Sequence, residues 1–152
     1  MTVEAIPNAQ QPLCPYIIVR GASSAIDFYV RAFRAREVFR LTDGRGKIGH
    51  AELNVAGGTI MIADEFPEFG ANGPLTIGGT PVSLHLYVRD VDGVVERAEA
   101  AGATVLQEPK DEFFGDRTAL MVDPFGHRWH VATRKEEVSP EEMQARMNAA
   151  HA

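Results

Sequence analysis

The chain of 152 residues has one cysteine, one tryptophan and no excess of positive charge. Each shortage excludes something. A lone Cys14 cannot close an intramolecular disulfide, so a hydrophobic core and not a set of staples must hold the fold. A membrane-spanning helix needs about 20 consecutive apolar residues, and no run approaches that length. With a formal net charge of −6 and acidic and basic residues interspersed, no sequence-independent grip on a phosphate backbone is expected. Nucleic acid and membrane are therefore not expected partners. The amino end, Met-Thr-Val-Glu-Ala-Ile-Pro-Asn, lacks the basic region and apolar core of a secretory signal, and with the single thiol it points to a cytoplasmic protein. What is present, 45% hydrophobic and 24% charged residues, suits a soluble globular chain able to bury about 70% of its extended surface.

The pattern repeats. Residues 13 to 36 read as a short apolar strand (Leu-Cys-Pro-Tyr-Ile-Ile-Val-Arg), a break and an amphipathic helix, and residues 82 to 105 do so again, with Val19-Arg20 and Val88-Arg89 in equivalent places. Asp90 is placed to cap the second helix and Gly102 to end it. Three strands are expected after each helix: 36–42, 48–55 and 59–64, then 103–108, 117–122 and 127–133. Gly57-Gly58 is expected to form the first hairpin turn, which would set Asn54 opposite Met61, and Asp123-Pro-Phe-Gly126 the second. The chain thus divides into a tail (1–12), a βαβββ module (13–64), a Gly- and Pro-rich linker or flap (65–81), a second βαβββ module (82–134) and a C-terminal helix and tail (135–152). Ser139 as N-cap, Pro140 and Glu142 start that last helix, which is expected to lie on the surface without chemistry, with Met143 and Met147 available for a dimer contact.

Alternation splits each strand into two sets. One is apolar: Ile17 and Val19, Leu53 and Val55, Ile60 and Ile62, Leu84, Leu86 and Val88, Trp129 and Val131. It must lie under the helices. The other carries Cys14, Tyr16 and Ile18, His50, Glu52 and Asn54, Thr59 and Met61, Ser83, His85 and Tyr87, and Arg128 and His130, with His127 nearby at the turn. Either this is a plain wetted face, or the curled sheet gathers it into a cup that takes a small molecule. The second reading draws on the mixture of aromatic, thioether and titratable groups. The expected fold is α+β: two βαβββ modules forming a curled mixed sheet cup with helices on the outer face.

These modules, with Asp-Phe-Tyr in the first helix, Leu-Tyr-Val-Arg-Asp-Val-Asp opening the second half, and Gly-Asp-Arg then Asp-Pro-Phe-Gly-His closing it, resemble the vicinal oxygen chelate superfamily. That superfamily includes glyoxalase I, bleomycin- and fosfomycin-resistance proteins and extradiol dioxygenases, and the resemblance spans about residues 13 to 134. Its metal-dependent members place one His or Glu ligand on the first and last strand of each module. Here His130 fills the last slot, Met61 holds the matching slot of the first module, and the opening slots fall at Cys14 or Tyr16 and at Ser83 or His85. A thioether is a poor ligand for a hard or borderline divalent ion. Cys14, His85 and His130 are the remaining possible donors, so the resemblance implies no full metal site and no cofactor, with a divalent metal as the alternative.

The leading expectation is accordingly a glyoxalase- or bleomycin-resistance-like homodimer that binds a small molecule in its cup without a metal. The lining is assigned to Tyr16, Glu52 and Met61 from the first module and to His85, Tyr87, Phe114, Arg128 and His130 from the second. The alternative is a metal-dependent lyase, isomerase or dioxygenase in which Glu52 moves a proton. Glu52 is otherwise expected to pair with a histidine or with Arg128. In the loop Lys110-Asp-Glu-Phe-Phe-Gly-Asp-Arg117, Phe114 is set to stack on a ligand, Phe113 to pack, and Arg117 to pair with an anion or Asp116. Cys14 as a nucleophile would need a nearby base.

Overall fold

In residues 2–7 and 11–152, the part of the chain that the computed structural model describes, the βαβββ order occurs twice. The first module comprises β1 (Tyr16–Val19), α1 (Ala22–Phe33), β2 (Arg36–Thr42), β3 (Ile48–Val55) and β4 (Gly58–Asp64). The second comprises β5 (Ser83–Tyr87), α3 (Val91–Ala100), β6 (Thr104–Asp111), β7 (Asp116–Val122) and β8 (Arg128–Arg134), and α4 (Pro140–Ala150) follows it. Each module makes a four-stranded mixed sheet, in the orders β1-β4-β3-β2 and β5-β8-β7-β6, with the first strand parallel to the last. This is the α+β architecture expected from the repeat. Among the described residues no strand of one sheet neighbours a strand of the other; the modules meet through their helices.

Helix α1 forms because Ala22, Ala25, Ile26, Phe28, Tyr29, Ala32 and Phe33 recur at helical spacing and are all buried. Its first residues have no cap of their own, since Gly21 offers no side chain. Asp64, at the end of β4, supplies it: Oδ1 accepts from the Gly21 and Ala22 amides (3.1 and 2.7 Å) and Oδ2 from the Ile48 amide (2.7 Å). In the second module Thr133 takes the equivalent position and its Oγ1 accepts from the Val91 amide (2.9 Å), while Asp90 caps α3 through the Gly93 amide (3.1 Å).

The apolar strand set lies on the helix side. Val19, Leu53, Ile62 and Val131 are fully buried, and Trp129 of β8 packs 4.5 Å from the Phe33 ring and 5.5 Å from the Tyr29 ring of α1. One core therefore serves both modules, each large buried side chain contributing about 1.5–3 kcal/mol. Asp123 ties the same junction. Its buried carboxylate accepts from Tyr29 Oη (2.5 Å), Trp129 Nε1 (2.9 Å) and the amides of Phe125 and His127 (2.9 and 3.0 Å).

Four sequence expectations are corrected. The first hairpin turns at Ala56-Gly57, both at positive φ (51° and 87°), with Gly58 already in β4. As a result Met61 stands opposite Glu52, and Asn54 opposite Thr59. Moving the turn by one residue shifts the register by two, which keeps every apolar residue on its face, so the alternation could not distinguish the two. The linker is folded: Phe66 bridges Ala71, a 3-10 turn spans Pro67–Phe69 and α2 spans Pro74–Ile77. Arg20 holds it through Glu65 (3.1 Å) and Thr76 (2.8 Å). His127 does not turn to the polar face; its Nε2 donates to the Ile18 carbonyl of β1 at 2.9 Å. Finally, α4 begins where Ser139 Oγ accepts from the Glu142 amide (3.1 Å), but it is not a bare surface helix, because it walls a cavity.

Candidate functional site

The polar strand sets occupy the sheet faces turned away from the shared core, one group on each sheet. On the first sheet, pairing lays Tyr16, Met61, Glu52 and Phe39 in one row across all four strands. Bulges tune this row. An extra residue at Val38 brings Phe39 opposite Glu52, and an extra residue at Gly49 places His50 opposite Leu41. His50 then sits between two partners: Tyr16 Oη is 2.8 Å from Nδ1 and Glu52 Oε2 is 2.9 Å from Nε2. The expected Glu52–histidine pair is formed, with His50 and not Arg128 as its partner. The Phe39 ring lies 5.6 Å from His50. Adjacent apolar residues at Val38-Phe39, breaking strict alternation, are the sequence signal that marks this bulge.

On the second sheet His85 of β5 and His130 of β8 are register partners, with nearly parallel rings 6.0 Å apart, and Tyr87 lies 4.8 Å from His85. Arg128 begins β8 opposite Ser83. A cavity of about 660 Å³ opens on this face, lined by His85, Tyr87, Phe114, Asp116 and Arg134 and closed by Glu136, Val138 and Met143 of the C-terminal segment. The segment is held by Arg146, which donates to Glu136 (2.6 Å), Glu142 (3.1 Å) and the Phe113 carbonyl (3.0 Å). Phe114 lines this cavity, and its ring meets that of Phe113 edge to face at 5.3 Å. Arg134, Glu136, Val138 and Met143 were not anticipated. Val138 before the cap and Met143 four residues into the helix have the spacing of a hydrophobic staple, which could have marked this wall.

Arg117 takes neither of its expected roles. It is held by Asp92 of α3 (2.8 and 3.0 Å) and Asp111 (3.1 Å), whose hydrogen bonds raise its pKa further. Cys14 lies outside the strands, and among the described residues its thiol donates to the Gln11 carbonyl at 3.1 Å and not to a side-chain base.

Burial lowers the pKa of His130 below its ordinary 6.5, and His85 and Arg128 push the same way. The unfolded chain thus takes up this proton at higher pH than the folded one. The contribution of neutral His130 to stability is present above pH 6.5 and is lost as the pH falls. The urea midpoint is expected to drop more between about pH 7 and about pH 5 in the wild type than in His130→Gln. An equal drop in both would refute the assignment.

The register also decides the four superfamily ligand slots. Tyr16 faces Met61 and His85 faces His130, so one module offers a phenol and a thioether and the other two imidazoles. Cys14 is not brought to His85 and His130, and among the described residues no group of three or more His, Cys, Asp and Glu side chains could hold a metal ion.

Known proteins agree with the fold. The sequence matches the Glyoxalase/Bleomycin resistance protein/Dioxygenase superfamily over residues 11–131. The chain belongs to this superfamily. It is 43% identical over 145 residues to an uncharacterized protein of Mycobacterium bovis, covering 93% of this chain and 95% of that one. Among solved structures it is similar to TioX from Micromonospora sp. ML1, with a TM-score of 0.64 and 30% identity over 80% of this chain and 97% of that one. A glyoxalase/bleomycin resistance protein/dioxygenase family enzyme from Burkholderia phytofirmans PsJN shares the fold at TM-score 0.64 and 19% identity, over 80% of this chain and 96% of that one. No helix among the described residues is long and apolar enough to cross a membrane.

Proposed function

We propose that this superfamily member binds a small, largely apolar molecule on the polar face of its second sheet, without a metal. The observation that carries this reading is the cavity of about 660 Å³ beneath the C-terminal segment, a size that suits a ligand of one to a few rings. Tyr87 and Phe114 supply flat walls, Val138 and Met143 an adaptable apolar lid, and His85 with Arg134 the hydrogen-bonding groups that orient a polar end. Glu136 is neutralised by Arg146, so the cavity is not strongly charged in either sense. His130 and Arg128 extend the site along β8. Tyr16, Glu52 and Met61 lie on the other sheet of the same chain, and they join the site when a second chain sets its first sheet over this face in a homodimer. The exposed Tyr16, Phe39, Leu41 and Tyr87 support that pairing, because large apolar side chains on open sheet faces gain from being covered. The single reduced thiol is consistent with a cytoplasmic protein.

The test uses 2-naphthamide, a neutral bicyclic aromatic with a hydrogen-bonding head, titrated by ligand-observed NMR. Wild-type protein is expected to bind it saturably, equally well with and without a chelator, and Tyr87→Ala or Phe114→Ala to weaken binding about tenfold. Unchanged binding in both variants, or loss on chelation together with near-stoichiometric metal by elemental analysis, would overturn the reading. A monomer mass by light scattering across micromolar concentrations would remove the dimer.

A further inference from the structure

The cavity beneath the C-terminal segment holds a carboxylate that the fold itself does not explain. Asp116, the first residue of β7, is 9% exposed and lines that cavity. Among the described residues its side chain has neither a hydrogen-bond donor nor an ion pair, whereas the other buried acid, Asp123, receives four donors. The cations around it are turned elsewhere. Arg117 is committed to Asp92 and Asp111. Arg134 is the register partner of Asp116 and shares its face of the sheet, yet its guanidinium reaches out to the exposed Glu137 at 3.7 Å. Arg146 answers Glu136. A carboxylate withdrawn from water without a donor costs free energy that nothing in the packing recovers. Because an ionised carboxylate only accepts, the partner it lacks is a donor, and a cationic donor makes the stronger bond. Tyr87 and Phe114 in the same lining suit both an apolar body and a positive charge, since aromatic rings attract cations.

We propose that the polar end of the ligand is a protonated amine and that Asp116 receives it, so that the cavity selects apolar, ring-bearing ammonium compounds. This rests on the reading of the cavity as a binding site and adds to it the charge of the ligand. The ammonium donates to the Asp116 carboxylate and keeps its protons, and the ring system lies between Tyr87, Phe114 and the wall formed by Val138 and Met143. An anionic end is disfavoured. It would gain Arg134 only by breaking the pair with Glu137, and it would do so beside an unpaired carboxylate.

The probes are 2-naphthylmethylamine, a cation at neutral pH, and the anion 2-naphthoate, set beside neutral 2-naphthamide on the same bicyclic body. In ligand-observed NMR titrations the wild type is expected to bind the amine about tenfold tighter than the amide, the margin of a charge-assisted over a neutral hydrogen bond, and the carboxylate more weakly than either. In Asp116→Asn the ratio of amine to amide affinity should fall to about one. Glu141→Gln removes an exposed acid of α4 outside the lining and should leave that ratio at about tenfold, which separates the site from general attraction to an acidic protein. Urea unfolding gives a readout that a structural role would move the other way. With no donor to lose, Asp116→Asn should unfold at a midpoint equal to or above that of the wild type. A lower midpoint, equal affinity for amine and amide, tighter binding of 2-naphthoate, or a preference for the amine that survives Asp116→Asn would overturn the proposal and leave the cavity as a binding site. Absence of saturable binding by all three probes would overturn that earlier reading, and this one with it.

Discussion

Replacing Asp123 by alanine is expected to remove about 3–5 kcal/mol of unfolding free energy, a large share of the stability of a domain this size. The carboxylate is 4% exposed and receives four donors, two from backbone amides of its own turn and two from Tyr29 and Trp129. Alanine would leave all four without an acceptor in a buried junction, and each unsatisfied donor carries its own desolvation cost of about 1–3 kcal/mol before relaxation. Asparagine is expected to be the milder change. Its single carbonyl can serve one pair of donors, while its amide group, itself a donor, must face the other pair. Tyr29→Phe removes one donor and leaves the other three in place, so its loss should be the smallest of the series. Urea unfolding of the three variants checks the order, and a loss below about 1 kcal/mol for Asp123→Ala would show that the junction does not depend on this carboxylate. Alkaline pH offers a second readout. Burial, and next Asp123, hold the Tyr29 pKa well above its ordinary 10.0, so the unfolded chain releases this proton first. Stability from Tyr29 is present below pH 10.0 and is lost as pH rises beyond it, a dependence that Tyr29→Phe should lack.

Gly115→Val is expected to detach the C-terminal segment and with it the wall of the second-sheet cavity. The glycine sits at φ 100°, a conformation that costs a residue with a side chain about 1–3 kcal/mol. Space is also lacking, since an added Cβ would lie 2.8 Å from both the Glu136 carbonyl oxygen and Val138 Cγ2. The Gly115 carbonyl in turn accepts from the Lys135 and Glu136 amides (2.9 and 3.1 Å), so the backbone that the new side chain displaces is the one that anchors the segment. The core lies on the other side of the sheet and should stay folded. Expected results are faster hydrogen exchange confined to residues beyond 134, new tryptic cleavage at Arg134 and Lys135, and loss of 2-naphthamide binding. Unchanged exchange in that segment would contradict the packing described. Arg146→Ala should act in the same direction more weakly, because its ion pairs are open to solvent.

Much of the architecture is legible in the chain because it depends on period. Alternation of two assigned Val19, Leu53, Ile62, Trp129 and Val131 to the covered face and Tyr16, His50, Glu52, His85 and His130 to the open one. Helical spacing likewise marked α1 and α3, and the βαβββ order could be counted twice. Register is a different matter, since shifting a hairpin by two residues leaves every such assignment unchanged. Only the paired strands show that Glu52, and not Asn54, stands against Met61, and hence that Tyr16, His50 and Glu52 form one hydrogen-bonded chain.

The linker and the C-terminal helix divide in the same way. The cap at Ser139-Pro140 announced α4 locally, but nothing local says which surface an exposed helix will cover, and Arg146 decides that through Glu136 and the Phe113 carbonyl. Asp123 read as a turn residue; its partner Tyr29 is 94 positions away. Sequence by itself thus determined what each strand and helix would turn toward water or toward the core, because burial follows short-range periodicity. Tertiary structure alone decided which polar groups meet, because hydrogen bonds need a fit of a few tenths of an ångström between residues distant in the chain, and no periodic pattern encodes that.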